Sequence, residues 1–221
     1  DREKIVPDTA GLYKIQELYV TTCFSEAYSA LPPIQAAKKY ETAYIDAYRK
    51  LETEYKNDYS KKSNPEDAVW MNYEQIVDSK TLFSNDTFYS YGVTVYSYTG
   101  GAHGMTTTIY QVIDLNQLQP LTLADIFDER NLDQVALIIR ETLARDLGYN
   151  EVSKLSEIGY IVNEIRPTEN FYIDDKGITW LYNQYDIAPY ALGQPTVFIG
   201  YDKLKLFIKE DSPLYPLAQE E

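Results

Sequence analysis

Strand-forming runs follow one another through short turns in the middle of this chain, with no helix-forming segment between them. From Val69 the run VWMNYEQIVDSKTLF is followed by the polar turn SND, by TFYSYGVTVYSYT, by the bend GGAHG and by TTTIYQVIDL. Strands joined by turns this short pair antiparallel, because parallel pairing requires a long crossover. The order therefore predicts consecutive hairpins and an antiparallel sheet.

A long helix is predicted ahead of these strands. In IQAAKKYETAYIDAYRKLETEYKNDYSKK the apolar and tyrosine residues recur at steps of three and four, which places them on one helical face. The stripe consists of Ala37, Tyr40, Tyr44, Tyr48, Leu51, Tyr55 and Tyr59. We predict one amphipathic helix over about residues 34–61, ended by Ser63-Asn64-Pro65. We expect its tyrosine stripe to dock on a sheet.

A second helix and a second group of strands follow. Thr122 is expected to cap a short turn, and Asn131 to cap a helix near residues 131–147 that ends at Gly148. NFYIDDKGITWLYN predicts a hairpin that turns at 175–177, and PTVFIGY predicts a last strand before a closing helical turn. Residues 12–29 fit a helix or a strand equally well.

These elements predict an α+β fold, in which an antiparallel sheet of consecutive hairpins is packed by the long N-terminal helix and by the helix near 131–147. The expected organisation is an N-terminal helical part at 1–66, an α+β domain at 67–210 and a frayed tail at 211–221. The two parts are compatible with packing as one unit.

Composition excludes several classes of function. The net charge is −14, from 34 acidic and 20 basic residues, which disfavours nucleic acid and suits a cationic partner. One cysteine, Cys23, cannot form an intramolecular disulfide, and with a single histidine the chain lacks the common zinc motifs, so no metal or cofactor is predicted. No apolar run is long enough for a transmembrane helix. The chain begins at Asp1 without methionine, which we interpret as the loss of an export signal.

The only histidine, His103, lies in the glycine-rich turn YSYTGGAHG. No G-x-S-x-G or H-E-x-x-H spacing accompanies it, so catalysis or metal binding has no motif to support it. Gly100, Gly101 and Gly104 supply backbone angles that other residues reach only with strain. We therefore expect His103 to hold the hairpin by hydrogen bonding, with contact to a ligand left open.

A tyrosine-rich loop, NQYDIAPYALG at residues 183–193, is the second candidate surface. Pro189 and Gly193 give it an ordered path, and Tyr185 and Tyr190 are expected to project from it. The carboxylates Asp174, Asp175 and Asp186 lie nearby in sequence, but such neighbours are expected by chance among 34 acids.

Four motifs in order, YTGGAHG, LTLADIF, NFYIDDKGITWLYNQYDIAPYALG and VFIGYDKL, resemble a bacterial envelope domain of unknown function. That domain forms the C-terminal part of the lysozyme-binding anti-sigma factors (RsiV-like). The resemblance covers about residues 69–209, and residues 1–66 resemble the companion domain that often precedes it. It implies a secreted or lipid-anchored protein without known catalytic residues.

Two main hypotheses follow from different classes, beside the simpler option of a structural subunit in a larger envelope assembly. The first is a non-enzymatic extracytoplasmic binding or sensor module, lipid-anchored in its precursor, that recognises a basic protein such as lysozyme or peptidoglycan fragments. Its candidate ligand contacts are Tyr98, Gly100, Gly101, His103, Tyr185, Asp186 and Tyr190. The alternative is a wall-directed hydrolase, in which His103 acts as a general base beside a carboxylate or an acid such as Asp186 is half of an acid pair.

Overall fold

The computed structural model of the chain describes residues 9–58 and 71–219. The described helices are α1 Thr9–Cys23, α2 Pro33–Asp58, α3 Leu123–Ile126, α4 Leu132–Asp146, α5 Ser153–Glu157, α6 Tyr201–Leu204 and α7 Tyr215–Gln219. The described strands are β1 Tyr73–Ser84, β2 Phe88–Thr99, β3 Met105–Asp114, β4 Gln119–Pro120, β5 Phe171–Ile173, β6 Gly177–Leu181 and β7 Thr196–Gly200.

The predicted α+β class and the consecutive hairpins are confirmed. Strands β1, β2, β3 and β4 form one antiparallel sheet in sequence order, and β5, β6 and β7 form a second. In the second sheet Trp180 of β6 lies opposite Phe171 on one side and Val197 on the other.

By their internal contacts the described residues divide into two units. The first contains residues up to Asp78 together with Val95–Met105, and the second contains Ser79–Thr94 and the residues from Thr106 onward. The predicted boundary near residue 66, the helix-ending Ser63-Asn64-Pro65 and residues 59–61 of the predicted helix lie outside the described residues.

The first unit contains helices α1 and α2. The ambiguous segment 12–29 is helical up to Cys23, with Val20 and Cys23 buried. The expected docking of the tyrosine stripe is confirmed at Tyr48, whose ring lies 5.3 Å from that of Tyr73 and whose hydroxyl donates to the carbonyl of Met71 at 2.9 Å.

The second unit contains the main hydrophobic core, built on the faces of β6 and α4. All five residues of β6 are buried, since this central strand is covered on both faces. Val135, Ile139 and Leu143, three residues of the predicted α4 stripe, are buried in the same core.

The expected helix ends are confirmed at two positions and wrong at one. Asp125 of α3 accepts from the backbone N–H and the hydroxyl of Thr122, at 2.8 and 2.6 Å. Gly148 follows α4 with φ 86°, where a side chain would be strained. Asn131 lies at the N-cap position of α4 but makes no side-chain capping bond, because the preceding 3₁₀ turn gives it a helical backbone and its amide donates to Phe207 O at 3.3 Å.

The expected fraying of the tail is corrected within the described residues. Leu214 has no exposed surface and Ala218 of α7 is 3% exposed, and both belong to the core of the second unit. Burial of these apolar residues stabilises the segment in spite of its two prolines.

Candidate functional site

Side-chain amides from the second half of the chain bond one edge of strand β3. In an antiparallel strand, alternate residues direct their N–H and C=O groups to the same edge. At this edge Thr108 N donates to Asn183 Oδ1 at 2.8 Å, and Asn183 Nδ2 donates to Thr108 O at 3.1 Å. Tyr110 N donates to Asn170 Oδ1 at 2.7 Å, and Asn170 Nδ2 donates to Thr108 O at 3.0 Å.

Two glutamines extend this pattern to Thr106. Thr106 N donates to Gln184 Oε1, and Gln194 Nε2 donates to Thr106 O, both at 3.2 Å. We call Asn170, Asn183, Gln184 and Gln194 the amide ladder. It satisfies backbone groups that would otherwise form an open strand edge, and it fixes distant segments to β3.

The amide ladder anchors both ends of the loop 183–193, which we call the aromatic loop. Asn183 is its first residue and Gln194 follows its last, and Gln194 Nε2 donates to Asn183 Oδ1 at 2.6 Å. Just outside them, Tyr182 N donates to Pro195 O at 3.0 Å. The loop therefore leaves and returns at one fixed place on the second unit.

Contacts inside the aromatic loop hold its path. Asn183 N donates to the Asp186 carboxylate at 2.7 Å, and Asp186 N donates back to Asn183 O at 3.1 Å. Ile187 is 1% exposed, and its carbonyl accepts from Ile161 N at 2.8 Å. The middle of the loop is thus fastened to the core.

Two tyrosines form the outer surface of the aromatic loop. Tyr185 is 54% exposed and has φ 73°, a left-handed conformation that is costly for a residue with a side chain. The ring of Tyr190, which is half-buried, lies 6.0 Å from that of Tyr185, at 40° between the ring planes. The strained backbone and the ring contact fix where these aromatic faces are presented.

The glycine hairpin belongs to the first unit. Gly100 and Gly101 have φ values of 81° and 107°, as the turn requires of glycine. Tyr98 donates its hydroxyl to Gly101 O at 2.9 Å, across the turn. A side chain at Gly104 would overlap the ring of Tyr96.

His103 is exposed at the tip of this hairpin, and its ring serves the turn as expected. Its Nδ1–H donates to the carbonyl of Gly104 at 3.0 Å. Asp186, the candidate acid of the hydrolase hypothesis, accepts from Asn183 N in the aromatic loop. Each group therefore makes a hydrogen bond that shapes its own loop.

The structure thus places the predicted contacts in two sets. Tyr98, Gly100, Gly101 and His103 lie in the first unit, and Tyr185, Asp186 and Tyr190 lie in the second. Sequence reasoning assigned no role to any of the four residues of the amide ladder, although Asn170, Asn183 and Gln184 lie in the runs that it interpreted. Their partners on β3 are 60 to 88 residues away, a separation that no local pattern reports.

The predicted turn bends at Asp175 and Lys176, and the carboxylate of Asp174 stabilises it. Asp174 Oδ1 accepts from Lys176 N at 2.8 Å and from Gly177 N at 3.0 Å. Within residues 9–58 and 71–219, no group of three or more His, Cys, Asp or Glu side chains is placed to hold a metal ion, and no helix is long and apolar enough to span a membrane.

Two family profiles match adjacent parts of the chain. Residues 124–202 match "Protein of unknown function (DUF3298)", and residues 23–106 match "Deacetylase PdaC". A comparison with curated proteins gave no match.

Several solved structures resemble the fold, and two of them belong to DUF3298 family proteins. A member of the DUF3298 family from Bacteroides fragilis is 31% identical, with a TM-score of 0.88, and the alignment covers 97% of this chain and 84% of that one. A DUF3298 family protein from Pseudomonas aeruginosa PAO1 is 20% identical, with a TM-score of 0.54, covering 71% of this chain and 69% of that one. The second comparison supports the fold alone.

Proposed function

This chain belongs to the DUF3298 family, and from that premise we propose that it is a non-enzymatic binding module of the bacterial cell envelope, with the aromatic loop as its main contact surface. The observation that carries the proposal is the anchoring of Tyr185 and Tyr190 by the amide ladder. Tyrosines on a preformed loop provide a large contact area and lose little conformational entropy on binding.

The net charge of −14 supports a basic protein as the ligand. Opposite charge speeds association and orients a partner, while aromatic contacts near the centre of an interface supply most of the affinity. A lysozyme-like protein has the required chemistry, and it is also what the resemblance to the lysozyme-binding anti-sigma factors implies. Peptidoglycan fragments are the competing ligand.

The hydrogen bonds of His103 and Asp186 favour binding over hydrolysis. Each polar group takes part in the turn of its own loop, whereas a general base must be positioned toward a substrate proton. The segment that matches the PdaC family contains one histidine, and its ring bonds Gly104 O, so the proposal does not include the activity in that family's name.

Calorimetric titration of the chain with hen lysozyme, and separately with muropeptides, tests the proposal. We expect lysozyme to bind with an affinity that falls as salt is added, and Tyr185→Ala to weaken binding by about tenfold or more. Tyr13→Ala is the matched control, because Tyr13 is 67% exposed on α1 and should leave the affinity unchanged.

The glycine hairpin is tested separately, since it lies in the other unit. His103→Ala and Tyr98→Phe report whether it contributes to the same ligand. Binding of muropeptides without binding of lysozyme would replace the basic-protein ligand, and the absence of heat with both would refute the named ligands.

An extracytoplasmic location, with a lipid anchor in the precursor, is part of the same proposal. Its support is the resemblance to envelope proteins. Fractionation of cells that express the full-length precursor, followed by immunodetection, is expected to find the protein in the membrane or wall fraction and accessible to added protease. Recovery in the cytosol would contradict it.

A further inference from the structure

A short segment packs beside the aromatic loop and widens its outer surface. Residues 157–164 run from the end of α5 through a 3₁₀ turn, and Ile161 N donates to Ile187 O, in the middle of the loop, at 2.8 Å. A methyl group added at Gly159 would lie 3.8 Å from the side chain of Leu192, so this side chain lies over the backbone of the segment. The segment and the loop are therefore in contact at two places.

Apolar side chains are exposed on both sides of this junction. Ile161 is 53% exposed and Leu192 is 39% exposed, in the same loop as Tyr185 at 54%. We call these three residues the apolar centre. Neighbouring exposed apolar side chains on a soluble protein often mark a site of protein–protein contact.

The charged residues of these two segments have one sign. Residues 157–164 and the aromatic loop contain Glu157, Glu164 and Asp186 but no lysine or arginine. All three carboxylates are exposed, and Glu157 pairs with Lys154 of α5. The apolar centre is thus flanked by acidic side chains, which attract a cationic partner and orient it.

The amide side chains at the base of the loop are already bonded within the protein. Gln194 donates both of its amide hydrogens, at 3.2 Å to Thr106 O and at 2.6 Å to Asn183 Oδ1. Asn183 Oδ1 also accepts from Thr108 N, and Asn183 Nδ2 donates to Thr108 O. A saccharide needs free side chains of this kind for its hydroxyls, because burying a hydroxyl without a partner is costly. The surface therefore suits a protein ligand better than a glycan.

We propose that the apolar centre and the flanking carboxylates form one docking surface for a protein that carries an exposed apolar side chain among lysines and arginines, and that this surface does not bind peptidoglycan fragments. The inference rests on the proposed function and selects between its two ligands. It also assigns Ile161 and Leu192 as contacts beside Tyr185. Apolar residues at the centre of an interface supply most of its affinity, while charges at the rim speed association.

The test is calorimetric titration of the whole chain with hen lysozyme and, separately, with muropeptides. The variants are Ile161→Ser, which keeps the backbone N–H that bonds Ile187 O, and Leu192→Ser. The matched control is Ile76→Ser, because Ile76 is 50% exposed on β1 in the first unit and undergoes the same change. Each variant is also melted without ligand, to establish that it is folded.

We expect Ile161→Ser and Leu192→Ser each to weaken lysozyme binding by about fivefold or more, with Ile76→Ser within about twofold of the wild type and no heat with muropeptides. The loss in the two variants should be the same at about 50 and about 150 mM salt, because apolar contacts are not screened. Glu164→Lys should instead lower the association rate in surface plasmon resonance, by a factor that decreases as salt is added.

The outcomes separate this inference from the proposed function. Lysozyme binding that Tyr185→Ala weakens, but that Ile161→Ser and Leu192→Ser leave unchanged, would overturn the inference and leave the proposed function standing. Muropeptide binding that Tyr185→Ala abolishes would overturn the choice of a protein ligand. If lysozyme does not bind the wild type, the inference and the basic-protein ligand fail together.

Discussion

Replacing Asn183 by alanine is the sharpest test of the amide ladder. Three hydrogen bonds end on this side chain: from Thr108 N at 2.8 Å, from Gln194 Nε2 at 2.6 Å, and to Thr108 O at 3.1 Å. Thr108 is only 7% exposed, so water does not readily replace the lost partners. At a net value of about 1 kcal/mol for each bond, the free energy of unfolding should fall by about 3 kcal/mol.

Urea unfolding followed by circular dichroism measures this loss, with the slope against urea expected to stay unchanged. The melting temperature should fall by about 6–12 °C for a protein of this size. Asn183→Asp keeps oxygens that accept from Thr108 N and Gln194 but loses the donor to Thr108 O, so its stability should be intermediate.

Asn150→Ala is the matched control, since Asn150 is exposed and its loss should change stability by less than about 0.5 kcal/mol. The reasoning is refuted if Asn183→Ala costs less than about 1 kcal/mol, because the ladder would then not hold the loop.

Three further changes test other parts of the second unit. Gly177→Ala should lower the free energy of unfolding by about 2–3 kcal/mol in urea, because the new Cβ would overlap the Ile199 carbonyl of the paired strand. A variant as stable as the wild type would show that the two strands are not closely packed at Gly177. Asp174→Ala removes the acceptor of two hydrogen bonds in the turn and should lower the free energy of unfolding by about 1–2 kcal/mol in the same assay. A loss below about 0.5 kcal/mol, which is typical of surface substitutions, would show that these two bonds do not stabilise the fold. Burial raises the pKa of Tyr182 and of Tyr201 above the ordinary value of about 10, so the unfolded chain loses these protons first. Their contribution to the free energy of unfolding is complete below about pH 10 and decreases above it by about 1.4 kcal/mol per pH unit for each tyrosine. A urea midpoint that stays constant from about pH 10 to about pH 11 would contradict this.

Local sequence patterns predicted most of the secondary structure. The tyrosine stripe of α2 and the turns between β1, β2 and β3 each lie within a short window, where side-chain spacing and turn chemistry decide the conformation. The positive φ values of Gly100 and Gly101 were predictable for the same reason, since only glycine adopts them without strain.

The features that the sequence did not predict depend on contacts between residues far apart in the chain. The tail is ordered because Leu214 is buried in a core formed by residues far away in sequence. Asn131 had a suitable helix-capping side chain, but the 3₁₀ turn before α4 gives it a helical backbone, which does not suit a capping bond. The amide ladder depends on asparagines and glutamines without periodic spacing, which is why the residues that anchor the candidate site could not be identified from the sequence.

Hydrogen–deuterium exchange of the chain, with and without saturating hen lysozyme, tests the central claim most directly. A surface that is already formed and contacts a ligand should gain amide protection on binding, while the rest of its unit changes little. We predict slower exchange across residues 183–193, with α4 unchanged. Protection of another surface, with exchange at 183–193 unaffected by bound lysozyme, would contradict the account.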